Sequence, residues 1–189
     1  MRVVDQIPKM EPAALAALRA NAMRWIEQGT DRQKREAETI LLAIEVEERC
    51  RVRAKSEAEL GRKAAIAERT RNRGLHDRVV EACRARPLAA WEVEVLRAIA
   101  ADPGRDSDSL AEAINKGGGG YINLAVGSLC SEREPWLGTA PPAEDGSAPK
   151  VYSALLIDFT RHEDASGRVW HGWTLKPAAE TALRQLGIL

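Results

Sequence analysis

Arginine is the residue type here most able to do chemistry, and it is unevenly placed. Residues 49–86 carry 12 basic and 5 acidic side chains, net +7, while residues 1–48 are net −2 and residues 87–189 net −5. The whole chain of 189 residues balances 28 Lys and Arg against 28 Asp and Glu. Bulk charge therefore does not draw it to polyanions, but a local basic stretch has the composition of a phosphate-contacting surface. Arg62, Lys63, Arg69, Arg71 and Arg73 are its central members. A solvated helix face that binds nothing has the same composition, and both readings stand at this point.

The other reactive side chains form no catalytic set. His76 adjoins Asp77, but no Ser or Cys in a nucleophile context accompanies the pair. His162 and His171, with Glu163 and Asp164, suggest a metal site; without a further convergent ligand they read as polar or phosphate-contacting residues, and no metal is expected. The run Gly117–Gly120 lacks the GxxxxGK[ST] pattern of a phosphate-binding loop and reads as a turn. Cys50, Cys83 and Cys130 are far apart and odd in number, which argues against a disulfide framework and for a reducing, cytoplasmic setting. No run of apolar residues is long enough to span a membrane, and the first ten residues lack the core of a secretory signal. The chain is thus expected to be neither an enzyme nor a cofactor or membrane protein.

The elements that must position these side chains begin with a helical hairpin. Pro12 suits a first helical turn, and Leu15, Leu18, Ala22, Trp25 and Ile26 follow along one face. Gly29 ends that helix, and Thr30 with Gln33 forms a capping box for the next. Ala37, Ile40, Leu41 and Ile44 continue the second apolar stripe, after which the sequence stays helical but polar to about Asn72. A long polar helix has no core of its own. Self-association through Leu15, Leu18, Trp25, Ile26, Ile40, Leu41 and Ile44, as a two-fold dimer, is therefore expected over packing on the rest of the chain.

From Pro87 the pattern is helix (Leu88, Trp91, Val95, Ile99), turn, short helix capped by Ser109 and Glu112, glycine turn, and helix over Tyr121–Glu132. A proline- and glycine-rich loop precedes a strand from Val151 to His162, a turn at 164–167 and a return strand from Val169 to Leu175. A two-residue turn at Ser166 and Gly167 would set His162 opposite His171 and Thr160 opposite Trp173. Pro177 opens a last helix with Ala182, Leu183 and Leu186. The expected core is Trp91, Val95, Ile122, Leu129 and Leu183.

The segments WEVEVLRAIAADPG, SLAEAIN, GYINLAVGSLCSER and KVYSALLIDFTR with VWHGWTLKP, taken in order, resemble the winged helix-turn-helix superfamily over residues 87–189. That resemblance implies a mainly α fold with a small β-hairpin (α+β), and implies that the third helix meets the DNA major groove while the hairpin touches backbone. It places nucleic-acid contacts at Lys116, Tyr121, Asn123, Ser128, Ser131 and Arg133, and at Lys150, Arg161, His162, Arg168 and His171. The expected organisation is a dimerising helical region at 1–72, a basic linker at 73–86 and the winged helix at 87–189. The expected function is a dimeric transcription regulator of double-stranded DNA. The outward row of the third helix (Gly120, Leu124, Gly127, Ser128, Ser131) is small and neutral, which departs from the DNA-reading pattern. It fits the alternative, an adaptor whose winged helix meets a protein partner.

Overall fold

The computed structural model describes residues 3–143, 146–163 and 165–189. The protein is mainly helical, with one small antiparallel sheet, and divides into two units, Met1–Arg62 and Lys63–Leu189. No helix among the described residues is long and apolar enough to cross a membrane.

In the first unit a 3-10 helix, Val3–Lys9, precedes α1 (Pro12–Gln28) and the start of α2 (Asp31–Thr70). The Thr30 amide donates to Gln33 Oε1 at 2.9 Å and the Gln33 amide to Thr30 Oγ1 at 3.4 Å, the two bonds of the expected capping box. Ile7, Leu15, Ala22, Ala37, Ile40 and Ile44 are buried together, with Leu18, Ile26 and Leu41 packed against them. This corrects the expected dimer surface. Leu15, Ile40 and Ile44 are consumed inside one chain, because the two stripes face each other across the tight turn at Gly29 and the 3-10 helix adds Ile7. Trp25 remains exposed.

The second unit contains α3 (Leu75–Ala85), α4 (Ala90–Ala101), α5 (Ser107–Ala113), α6 (Gly119–Glu132), the single turn α7 (Glu134–Leu137), β1 (Ile157–Glu163), β2 (Val169–Leu175) and α8 (Pro177–Gln185). Residues 75–85 are thus not a linker. Val79, Val80 and Ala82 recur at helical spacing among the arginines and are buried, while the Glu81 carboxylate takes Arg69 and Arg73. Helices α3, α4, α5, α6 and α8 share one core with the base of the hairpin, through Val95, Ile99, Ile122, Leu129, Trp173 and Leu183. Trp91 is not part of it, being 41% exposed at the first turn of α4.

Three local differences have simple causes. Residues 152–155 form a 3-10 turn, so β1 begins only at Ile157. Helix α5 is capped by Asp106, which accepts the amides of Asp108 and Ser109 at 3.0 Å each, and not by Ser109. The hairpin register is one residue away from expectation: His162 pairs Trp170, Arg161 pairs His171 and Phe159 pairs Trp173. The paired strands end at Glu163 and Val169, so the two-residue turn is not formed, and aromatic pairs fix the choice. Phe159 meets Trp173 edge-on at 4.9 Å, and His162 stacks on Trp170 at 4.0 Å. Backbone contact fixes it too: Gly104 donates to the Trp173 carbonyl and the Trp173 amide to the Arg105 carbonyl, both at 2.8 Å. A side chain on Gly172 would lie 2.4 Å from the Gly104 carbonyl oxygen.

Candidate nucleic-acid interface

Helix α6 is set by its predecessor. Asp108 on α5 accepts the Gly119 amide at 2.7 Å, so a carboxylate of one helix caps the next. The connection turns at Asn115 and Gly118, both at positive φ. Gly119 has no room for a side chain, since a Cβ would sit 2.4 Å from Ser107 Oγ. Hydrogen bonds from the Ser109 hydroxyl and amide hold the Asp106 carboxyl below the ordinary aspartate range.

With its inner face fixed by Ile122, Val126 and Leu129, α6 presents Gly120, Asn123, Leu124 and Ser131 outward, with Tyr121, Gly127 and Ser128 half-buried. Leu124 is 75% exposed. The hairpin presents Phe159, Arg161 and His171 on the face continuous with buried Ile157 and Trp173. Between that face, α6, the start of α5 and the loop at Pro141–Ala143 lies a cleft of about 720 Å³. Asn123, Arg161, Arg168 and His171 line it, joined by Phe159 and Trp173. Asp106 and Asp108 border it as well, but both carboxylates already accept backbone amides. Arg161 Nη2 lies 3.4 Å from Glu163 Oε2, a loose exposed pair that leaves the guanidinium available.

Four of the expected contact residues are thus brought to one place. Others are elsewhere. His162 is stacked against Trp170. Lys150 donates to Glu134 at 2.5 Å, a hydrogen bond that raises its pKa, and Lys116 lies 3.9 Å from Glu94. Tyr121, Ser128 and Ser131 stand on α6 but do not line the cleft. Arg69 and Arg73 both bridge Glu81, and Arg71 bridges Glu68 at 3.3 Å, so these charges are partly neutralised. Arg62 and Lys63 are exposed on α2.

Arg133 is corrected outright. It is 1% exposed, with Nη1 and Nη2 donating to the two oxygens of Glu92 at 3.0 and 3.1 Å and further to the carbonyls of Leu129 and Arg86. It cannot reach a phosphate. The signal that it was internal was its place one turn beyond Leu129 on the apolar side of α6. Phe159 always shares a face with Arg161, two residues along β1; Trp173 joins them because the register is one residue away from the expected one.

Among the described residues no three His, Cys, Asp or Glu side chains converge as a metal site; the alternative built on the hairpin histidines includes Asp164, which lies outside those residues. In comparisons with known proteins, no family model, no curated protein and no solved structure matches this chain.

Proposed function

We propose that this protein is a dimeric regulator that binds duplex DNA through a winged-helix domain formed by α4, α5, α6, the hairpin and α8. The observation that carries the reading is the convergence of Asn123 with Arg161, Arg168 and His171 on one cleft between α6 and the hairpin. An asparagine side chain can donate to and accept from an adenine edge, and arginines beside it can hold the flanking phosphates. The order helix, backbone bridge at Arg105, helix, turn, helix, hairpin supports it. Because Arg133 is internal, it takes no part in this contact.

Fluorescence anisotropy of a labelled duplex at two ionic strengths tests this. Affinity falls steeply with salt, and Arg161→Ala with Arg168→Ala reduces the slope of log K against log salt by roughly two, about one per lost phosphate contact. Absence of binding at low salt removes the proposal.

One observation favours the second reading, an adaptor that meets a protein. Leu124, at the centre of the outward row of α6, is 75% exposed, and its neighbours one turn away, Gly120, Gly127 and Ser128, are small and neutral. In that case Leu124→Lys abolishes a stoichiometric protein complex, while Arg161→Ala leaves it intact.

A further inference from the structure

Phosphate and base-edge contacts use only part of the cleft between α6 and the hairpin. Its lining changes character from the tip of the hairpin to the root, and the strand register fixes the order. Arg161 pairs with His171, so a guanidinium and an imidazole stand side by side on the cleft face of the sheet. Phe159 follows on the same face, about 7 Å nearer the root by the rise of a strand. At the root Arg105 bridges Trp173, which brings the start of α5 alongside. Asp106 and Asp108 border the cleft there, and Asn123 of α6 joins the lining. Asp108 gives Oδ1 to the Gly119 amide and keeps Oδ2. The opposite wall, at Pro142 and Val151, is apolar, and Phe159 is 36% exposed.

A paired duplex has little use for such a lining. Its stacked bases show only their edges, and its backbone offers charge and sugar. An aromatic ring gains from a base whose face is uncovered, as in an unpaired nucleotide. The cleft, at about 720 Å³, has the size of a small-ligand site. One nucleotide matches it from end to end. Its phosphate suits Arg161 and His171, its base face suits Phe159, and its ring nitrogens and exocyclic amino group suit Asn123 and Asp108. The spacing from Phe159 to Arg161 is comparable with that from a base to its own phosphate. Charge opposes the reverse orientation, which sets the phosphate against Asp106 and Asp108.

We infer that this cleft holds one unpaired nucleotide, its phosphate at Arg161 and His171 and its base on Phe159 with the edge at Asn123. The inference rests on the nucleic-acid reading of the cleft made above and deepens it, since the base must be out of its stack. The nucleotide is either free or part of a strand.

Fluorescence anisotropy compares a fully paired labelled duplex with the same duplex carrying one unpaired adenine. The unpaired base raises affinity about tenfold, within what one base stacked on an aromatic side chain is worth. Phe159→Leu removes that preference and Phe159→Tyr keeps it, which separates a stacking ring from a merely structural one. Arg161→Gln, at an exposed position, weakens binding of both duplexes. Calorimetry with deoxyadenosine monophosphate, and with deoxyadenosine and inorganic phosphate as its halves, distinguishes the two sources. Binding of the whole nucleotide at least tenfold tighter than either half, without a preference for the unpaired duplex, identifies a free nucleotide as the occupant; the preference identifies a nucleotide within a strand. Absence of both, or survival of either in Phe159→Leu, overturns the proposal. A protein that binds the paired duplex and shows neither loses this inference alone, whereas one that shows either and ignores the paired duplex keeps it and loses the duplex reading.

Discussion

Removing one partner of the Glu92–Arg133 pair is expected to unfold the second unit at temperatures where the intact protein is stable. Glu92 is 3% exposed and Arg133 1%, so solvent screens neither charge. The contact is bidentate, and Glu92 Oε2 also accepts the Ala89 amide at 2.7 Å, tying the start of α4 to the end of α6. Glu92→Gln keeps shape and volume but leaves a buried guanidinium with carbonyls alone. Breaking a buried pair from one side costs about 3–5 kcal/mol. For a unit of this size that lowers the melting temperature by roughly 10–20 °C. Arg133→Met leaves the Glu92 carboxylate buried with one amide donor and falls in the same range. The double variant Glu92→Gln with Arg133→Met removes both charges and recovers about 3 kcal/mol or more relative to the sum of the single effects. Urea unfolding followed by circular dichroism supplies the cycle, and it is nearly insensitive to added salt. A loss below about 1 kcal/mol for Glu92→Gln, or its disappearance in high salt, would refute the burial on which the reassignment of Arg133 rests.

Three further outcomes follow from local geometry. Asp106→Ala costs about 1 kcal/mol at neutral pH through loss of the α5 cap. Since folding lowers the Asp106 pKa, that advantage is complete above the ordinary aspartate value, near pH 4, and disappears as pH falls through the lower folded value; an unchanged difference at pH 2 to 3 in paired melts contradicts the assignment. Gly172→Ala forces a methyl group against the Gly104 carbonyl and is expected to cost about 1–3 kcal/mol, with faster amide exchange at Trp173; wild-type exchange rates would show that the backbones do not meet. Native thiol titration gives one fast thiol, Cys50, because burial pushes the Cys130 pKa up to about 12 and also raises that of Cys83; rapid modification of Cys130 would contradict its place on the buried face of α6.

The helices were legible where apolar residues kept their period. Both stripes of the first hairpin and the inner row of α6 follow from spacing alone, while the reach of α2 beyond Ile44 follows from a run without proline. What spacing does not carry is the partner of each stripe. Leu15 and Ile44 look the same in sequence whether they meet another chain or each other, and the added Ile7 that completes their core sits beside Pro8 in a segment with no period. Hairpin register was hidden for a related reason: two registers one residue apart fit the same strands, and the choice depends on Gly104, far off in sequence. Arg133 shows the limit for charged residues. A guanidinium at the end of a helix reads as solvent-facing until Glu92, 41 positions earlier, is known to lie beneath it. Of the candidate site, the polar members were legible one by one; their meeting in a single cleft was not.

The contact between Gly172 and Gly104 fixes where this hairpin can change length in descent. An inserted or deleted residue between Ile157 and Glu163, or between Val169 and Gly172, would drive a side chain into the Gly104 carbonyl or break the aromatic pairs. At the tip, Gly167 has nothing within 4 Å of where a side chain would stand. A change in hairpin length is therefore tolerated at the tip and not at the root, where it would have to refold the body that holds the strands.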